Sequence, residues 1–289
     1  VVGVEDFTPV RSLWQGLFGF EEVSVSAVRI AALARRWDMR PQHIAEVLQL
    51  RTPGQGSDHP LGQLLFVRFE TDPVSVRAGA APTDLCPKNL DVYVDDLPAR
   101  LPDLIAGGAR PRQSAPNELT APDGARFREL HLDGHDHLNI VLLEVLDASK
   151  QDVPPFSARG YAGIGALVTT VSHLSPEVAF HHTVSGLDEH VRHRFTGPEV
   201  ERMVGLPPGA RLDIAILGGQ GRLGQLEVVS YGVAHGKDRY PLTRPPARGI
   251  LEIEMAPPER LNELVLSPAG LRVWRDRKTS ASHRSDPAR

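Results

Sequence analysis

Apolar and polar residues alternate along 87–94. Leu90, Val92 and Val94 fall on one side of the chain and Asn89, Asp91 and Tyr93 on the other, the period of a half-buried strand. Asp95-Asp96 then offer an N-cap to a helix with Leu97, Leu101, Leu104 and Ile105 on its apolar side, stopped by Gly107-Gly108. Pro102 inside that stretch predicts a short or kinked helix. Strands are expected near 110–120, over 125–132 and over 138–146, with turns at Asp123-Gly124 and Asp133-Gly134-His135-Asp136. This βαβββ unit is one quarter of the chain.

Residues 1–5 read as the end of a strand. Thr8 and Pro9 start a helix with Val10, Leu13, Trp14 and Leu17 on one face, closed by Gly19. Residues 22–32 fit a strand or the start of a helix through 32–37. Pro41 opens an expected helix with Ile44, Val47 and Leu48 inward, and 61–70 form a strand. The polar, doubly proline-bearing stretch at 149–160 separates two expected domains, 1–148 and 161–289.

The second half repeats the first. Val4, Thr8, Pro9 and Gly19 match Val171, Ser175, Pro176 and Gly186 at constant separation. Further on, PQHIAEVLQL matches GPEVERMVGL, LGQLLFV matches LGQLEVV, and NLDVYVDD matches ILEIEMAP. The expected fold is α+β, with four tandem βαβββ modules, the last truncated, forming two half-barrels.

The chain has 289 residues, 41% hydrophobic and 24% charged, which is globular rather than disordered. A net charge of −4 gives no electrostatic footprint for nucleic acid, and no apolar run is long enough for a membrane span. With one cysteine, Cys86, and no visible signal peptide, a cytoplasmic protein is the expectation; the Arg, Ala, Gly and Pro richness suits a high-GC bacterial gene.

The segments VEDFTPVRSLWQGLFGFEE, DVYVDDLPARLPDLIAGGARP, PDGARFRELHLDGHDHLNIVLLE and GALVTTVSHLSPEVAF resemble the vicinal oxygen chelate superfamily, which includes glyoxalase I, bleomycin-resistance proteins, methylmalonyl-CoA epimerase and extradiol dioxygenases. The resemblance implies that modules pair into cup-shaped half-barrels around a ligand cavity. It also implies four metal ligands per cup, a His or Gln and a Glu from each module. In the second copy these positions hold Ala166 and Glu227, then Ile250 or Glu252; in the first they hold Leu65, Asn89 and Leu142, with Glu144 close by. A largely lost metal site is expected, with Glu227 as its surviving ligand and a divalent metal as the one cofactor the resemblance would supply.

Strand parity places Asn89, Asp91 and Tyr93 on a cup face, groups Glu129 with His131, and sends Glu252 and Glu254 toward Glu227 and Gln225. Asn89, Asp91, Tyr93, Gln225, Glu252 and Glu254 are therefore the expected ligand-binding residues, and Glu129 with His131 the candidate acid–base pair. His135 and His137 belong to an expected solvated turn, and the Gly-rich 218–224 to a hairpin turn without a P-loop Lys-Ser/Thr. The lead reading is a monomeric or homodimeric small-molecule-binding protein. The alternative is a metal-dependent lyase, isomerase or dioxygenase.

Overall fold

A computed structural model describes residues 1–53, 61–146, 153, 155–219, 221–233, 235–256 and 260–277. Residues 149–152 and 154 of the expected linker, and the end of the chain from 278, lie outside them.

The first module comprises β1 (Val2–Val4), α1 (Phe7–Val10, continued by a π-helical turn, Arg11–Leu17), β2 (Glu21–Val23), α2 (Ala27–Arg36), β3 (Ile44–Arg51) and β4 (Leu64–Phe69). The second comprises β5 (Cys86–Val94), α3 (Leu97–Ala106), β6 (Arg110–Pro111), β7 (Asn117–Thr120), β8 (Arg126–Asp133) and β9 (Asn139–Val145). The third comprises β10 (Tyr161–Thr170), α4 (Leu174–Phe180), β11 (Asp188–Thr196), α5 (Pro198–Val204), β12 (Arg211–Gly218) and β13 (Gln225–Tyr231). Among the described residues the fourth comprises β14 (Gly249–Ile250), β15 (Ile253–Glu254), β16 (Glu263–Leu266) and β17 (Arg272–Arg275).

The modules do not pair within each half of the chain, as the two expected domains required. A nine-stranded open sheet joins the second and third modules, in the order β11-β12-β13-β10-β5-β9-β8-β6, with β7 on β8. Its seam is the antiparallel pair β5–β10. The first module pairs instead with the fourth: β1 lies between β4 and β14 in a five-stranded sheet. The long central strands explain the choice. All nine residues of β5 are buried, so this strand is covered on both faces and needs neighbours on both edges.

Helix α3 runs a full ten residues despite Pro102. Asp96 caps it through Ala99 N–H at 3.0 Å, and the carbonyl that Pro102 leaves without a donor belongs to the exposed Pro98. Its Leu97 and Leu104 join Trp14, Phe18 and Phe66 in one core built mainly from the first two modules, with Tyr161, Ile164 and Ile250 added from the others. Residues 44–51 form a strand rather than the expected helix. Ile44, Leu48 and Leu50 bury at even spacing against β4, and Pro41 opens only a 3-10 turn. The helix that precedes β3 is α2, so its repeat partner is α5, and the match of 41–50 with 197–206 is a misalignment of strand on helix.

The turn at 134–137 is half-buried rather than fully solvated: His137 is exposed, while the His135 and Asp136 side chains are enclosed. Trp14 Nε1 donates to His135 at 3.1 Å, Asp136 accepts from Glu5 N–H at 3.1 Å, and His137 meets Ser75 at 3.0 Å. Those contacts tie it to the first module. No helix among the described residues is long and apolar enough to cross a membrane.

Candidate functional site

The concave face of the nine-stranded sheet lines a cavity of about 730 Å³. Strand register assembles its floor. Asn89 on β5 pairs with Val168 on β10, which pairs with Glu227 on β13. One row along, Asp91 pairs with Ala166, and Ala166 with Gln225. On the other side of β5, Asp91 neighbours Val141, which pairs with His131; Tyr93 neighbours Leu143, which pairs with Glu129. Leu119, Phe127, Phe195, Met203 and Ile214 make the apolar walls. Gly165 sits opposite the Tyr93 ring, where a Cβ would come within 2.7 Å of it.

Asn89, Asp91, Tyr93, Glu129, His131, Gln225 and Glu227 therefore share one cavity. Asn89 Nδ2 donates to Asp91 Oδ1 at 2.6 Å. His131 Nε2 is buried without a hydrogen-bond partner among the described residues, 3.6 Å from Glu129. Burial, with Glu227 and Glu129 nearby, holds the Asp91 carboxyl well above the usual carboxylate range. Burial and Glu129 push Glu227 up to about 8.

Glu252 and Glu254 lie elsewhere. β14 pairs with β1 and β15 with β17, so strand parity does not carry from Leu251 to the cup. Glu252 is fully buried. It accepts from Trp37 Nε1 at 3.0 Å and Trp274 Nε1 at 2.9 Å and is ion-paired to Arg36. Glu254 takes Arg29 at 2.7 Å; burial raises its carboxyl, but Arg36 and Arg29 outweigh burial and hold it below its usual value. These two carboxylates fasten the first module to the fourth.

Sequence pattern missed Lys88. Alternation puts it on the helix side with Leu90. The β5–β10 register, however, steps from Val168–Asn89 to Thr169–Pro87, so Lys88 is the extra residue of a bulge. Bulges re-aim side chains, and this one turns Lys88 into the cavity, where its amine donates to the Tyr231 hydroxyl. No carboxylate among the described residues lies within 4.0 Å of it. Burial, with Arg77 adding repulsion, pushes the amine down to about 7. The Tyr231 phenol is raised by its own burial. Arg222, also missed, hydrogen-bonds Tyr93.

The metal positions implied by the resemblance fall, in this cup, on Asn89, Leu142, Ala166 and Glu227. Leu142 packs into the helix-side core, while its neighbours Val141 and Leu143 face the cavity. Glu144 also faces away from the cup, accepting Leu97 N–H at 3.1 Å. Ala166 offers no donor. The residues do not make the four-ligand set, and among the described residues no group of three or more His, Cys, Asp or Glu is placed to hold a metal ion. Cys86 is fully buried, with its thiol pushed up by burial.

No family profile and no curated protein matches the sequence. Solved structures do match the fold. A point mutant of glyoxalase I from Zea mays superposes with a TM-score of 0.60 at 12% identity, over 97% of this chain and 91% of that one. Glyoxalase I from Zea mays itself gives 0.51 at 13% identity, over 81% and 66%. A Bacillus subtilis protein provisionally called a dioxygenase gives 0.51 at 10% identity, over 96% and 83%. The chain has the fold of the vicinal oxygen chelate superfamily.

Proposed function

We propose that the cup between the second and third modules binds a small organic molecule with an apolar body and a cationic or hydrogen-bond-donating end, in a site that has lost the family's metal. One observation carries this reading: Asp91, buried, and Glu227, half-buried, sit without an ion pair among the described residues on the floor of a cavity with apolar walls. Buried carboxyls without ion pairs are costly, and a ligand cation would satisfy them. Volume and lining suit a drug-sized molecule. Aliphatic side chains at two of the four metal positions support binding over metal-assisted turnover. Such a protein works as a monomer or homodimer with a small-molecule partner.

Calorimetric titration tests the proposal with two probes of one shape, 2-naphthylmethylamine and the uncharged 2-methylnaphthalene. The amine binds more tightly, and Glu227→Gln weakens it by about tenfold or more. Equal affinity for both probes would contradict the acidic floor's role.

His131 supports a second reading, metal-free proton transfer. Its unpartnered Nε2 beside Glu129 is the arrangement a general base and its orienting acid require. Turnover abolished by Glu129→Gln in chelator-treated protein would favour it over simple binding.

A further inference from the structure

Lys88 is a buried cup residue that binding of a cation leaves unexplained. A buried ammonium beside a cation site is repulsive, and the fold goes to the length of a β-bulge to put it there. The chain carries 28 arginines and four lysines, Lys88, Lys150, Lys237 and Lys278. Arginine cannot lose its charge in a protein, whereas a desolvated lysine does so readily. Lys88 is 5% exposed, lines the cavity, and has the Tyr231 hydroxyl as its hydrogen-bond partner. Its ring contact is with Tyr231 as well, at 5.0 Å.

We propose that Lys88 captures an aldehyde or ketone ligand in the cup as a protonated imine. This deepens the binding reading above and rests on it. The amine nitrogen attacks the carbonyl carbon, and a C–N bond forms. The carbonyl oxygen leaves as water, taking both amine hydrogens, and one proton from a floor carboxylic acid ends on the imine nitrogen. Aldehyde, amine and carboxylic acid thus become iminium, carboxylate and water, with no oxidant or reductant consumed.

Each participant is in place. Pushed down to about 7, the amine sheds its proton near neutral pH, and the unprotonated form is the nucleophile. Glu227 holds its proton to about pH 8 and is close enough to Lys88 for each to feel the other's charge. Once ionised, Glu227 is the counter-ion of the iminium. The acidic floor and the buried amine then have one explanation, a cation made inside the cup from a neutral carbonyl compound. The apolar walls select an aromatic or aliphatic body for that compound.

The test uses 2-naphthaldehyde with sodium cyanoborohydride at pH 7.5, followed by intact mass and peptide mapping. In parallel, 2-naphthalenemethanol, which has the same ring and no carbonyl, is titrated into the same protein by calorimetry. The expected result is one adduct per chain, on Lys88, formed on the order of a hundredfold faster than on the exposed Lys237, and absent in Lys88→Met. Mapping on the unsubstituted protein decides the matter even if that variant fails to fold. If the alcohol binds and the aldehyde labels only Lys150, Lys237 or Lys278, the imine is overturned and the binding cup stands. If neither compound binds, the cup reading falls and the imine with it.

Discussion

The Lys88 amine donates to the Tyr231 hydroxyl at 2.5 Å, across the seam between two modules and 143 residues of chain. Neither group has an ion-pair partner among the described residues, and both are buried. The lowered amine costs stability wherever it must be protonated, so the penalty is complete below pH 7 and disappears as pH rises toward the unfolded value near 10.5. Lys88→Met should therefore stabilise the protein by about 1–3 kcal/mol at pH 6, and by much less at pH 10, in urea titrations. A variant destabilised at pH 6 would show the amine to be favourably paired.

Glu227 acts with the opposite sign. Its folded value is raised, so its contribution is fully present below pH 4.5 and is lost as pH rises through about 8. Glu227→Gln removes that decline. The variant should gain on the parent between pH 5 and pH 9, by on the order of 2–4 kcal/mol at the upper end. Parallel stability curves for the two proteins would contradict this.

Ligand binding should carry the same proton bookkeeping. An ammonium ligand ionises Asp91 or Glu227 and releases the protons they hold, while deprotonation of Lys88 lessens repulsion. Affinity for 2-naphthylmethylamine therefore rises from pH 6 to pH 8, by up to about tenfold per unit for one proton released. Calorimetry in buffers of different ionisation enthalpy counts the protons directly. Proton uptake, or affinity independent of pH, would mean the floor acids are already ionised.

The alternation of Asn89, Asp91 and Tyr93 carried the cup face of β5 correctly into three dimensions because that strand is continuous through those residues. Two things were not legible in the pattern. A bulge reverses parity at one residue, so Lys88 reads as a helix-side position. Parity also fails across a break in pairing, which is why Glu252 and Glu254 were expected beside Glu227 and instead sit under Trp37, Trp274 and Arg29. Likewise, nothing local distinguishes pairing of β5 with β10 from pairing of the first two modules. That choice is made by long-range burial.

Glu252 supplies a test of the second interface. Removing its carboxylate leaves the Trp37 and Trp274 indole N–H groups without their acceptor and Arg36 with Glu254 alone. Glu252→Ala should cost roughly 3–5 kcal/mol, and thermal unfolding should show the first module loosening. Since this node is remote from the cup, cup labelling in any folded fraction should persist. A loss under about 1 kcal/mol would show that the pairs behave as solvated surface ions.

The central claim is that the cavity of the second and third modules is the binding site. Leu143 lines it and is half-buried, so a larger side chain there fills the cavity without entering the packed helix-side core. Calorimetric titration of 2-naphthylmethylamine into the unsubstituted protein and into Leu143→Trp is the most direct measurement. Saturable one-to-one binding to the parent, lost in a variant that keeps its cooperative thermal transition, is the predicted result. Undiminished binding to a folded Leu143→Trp would contradict the account.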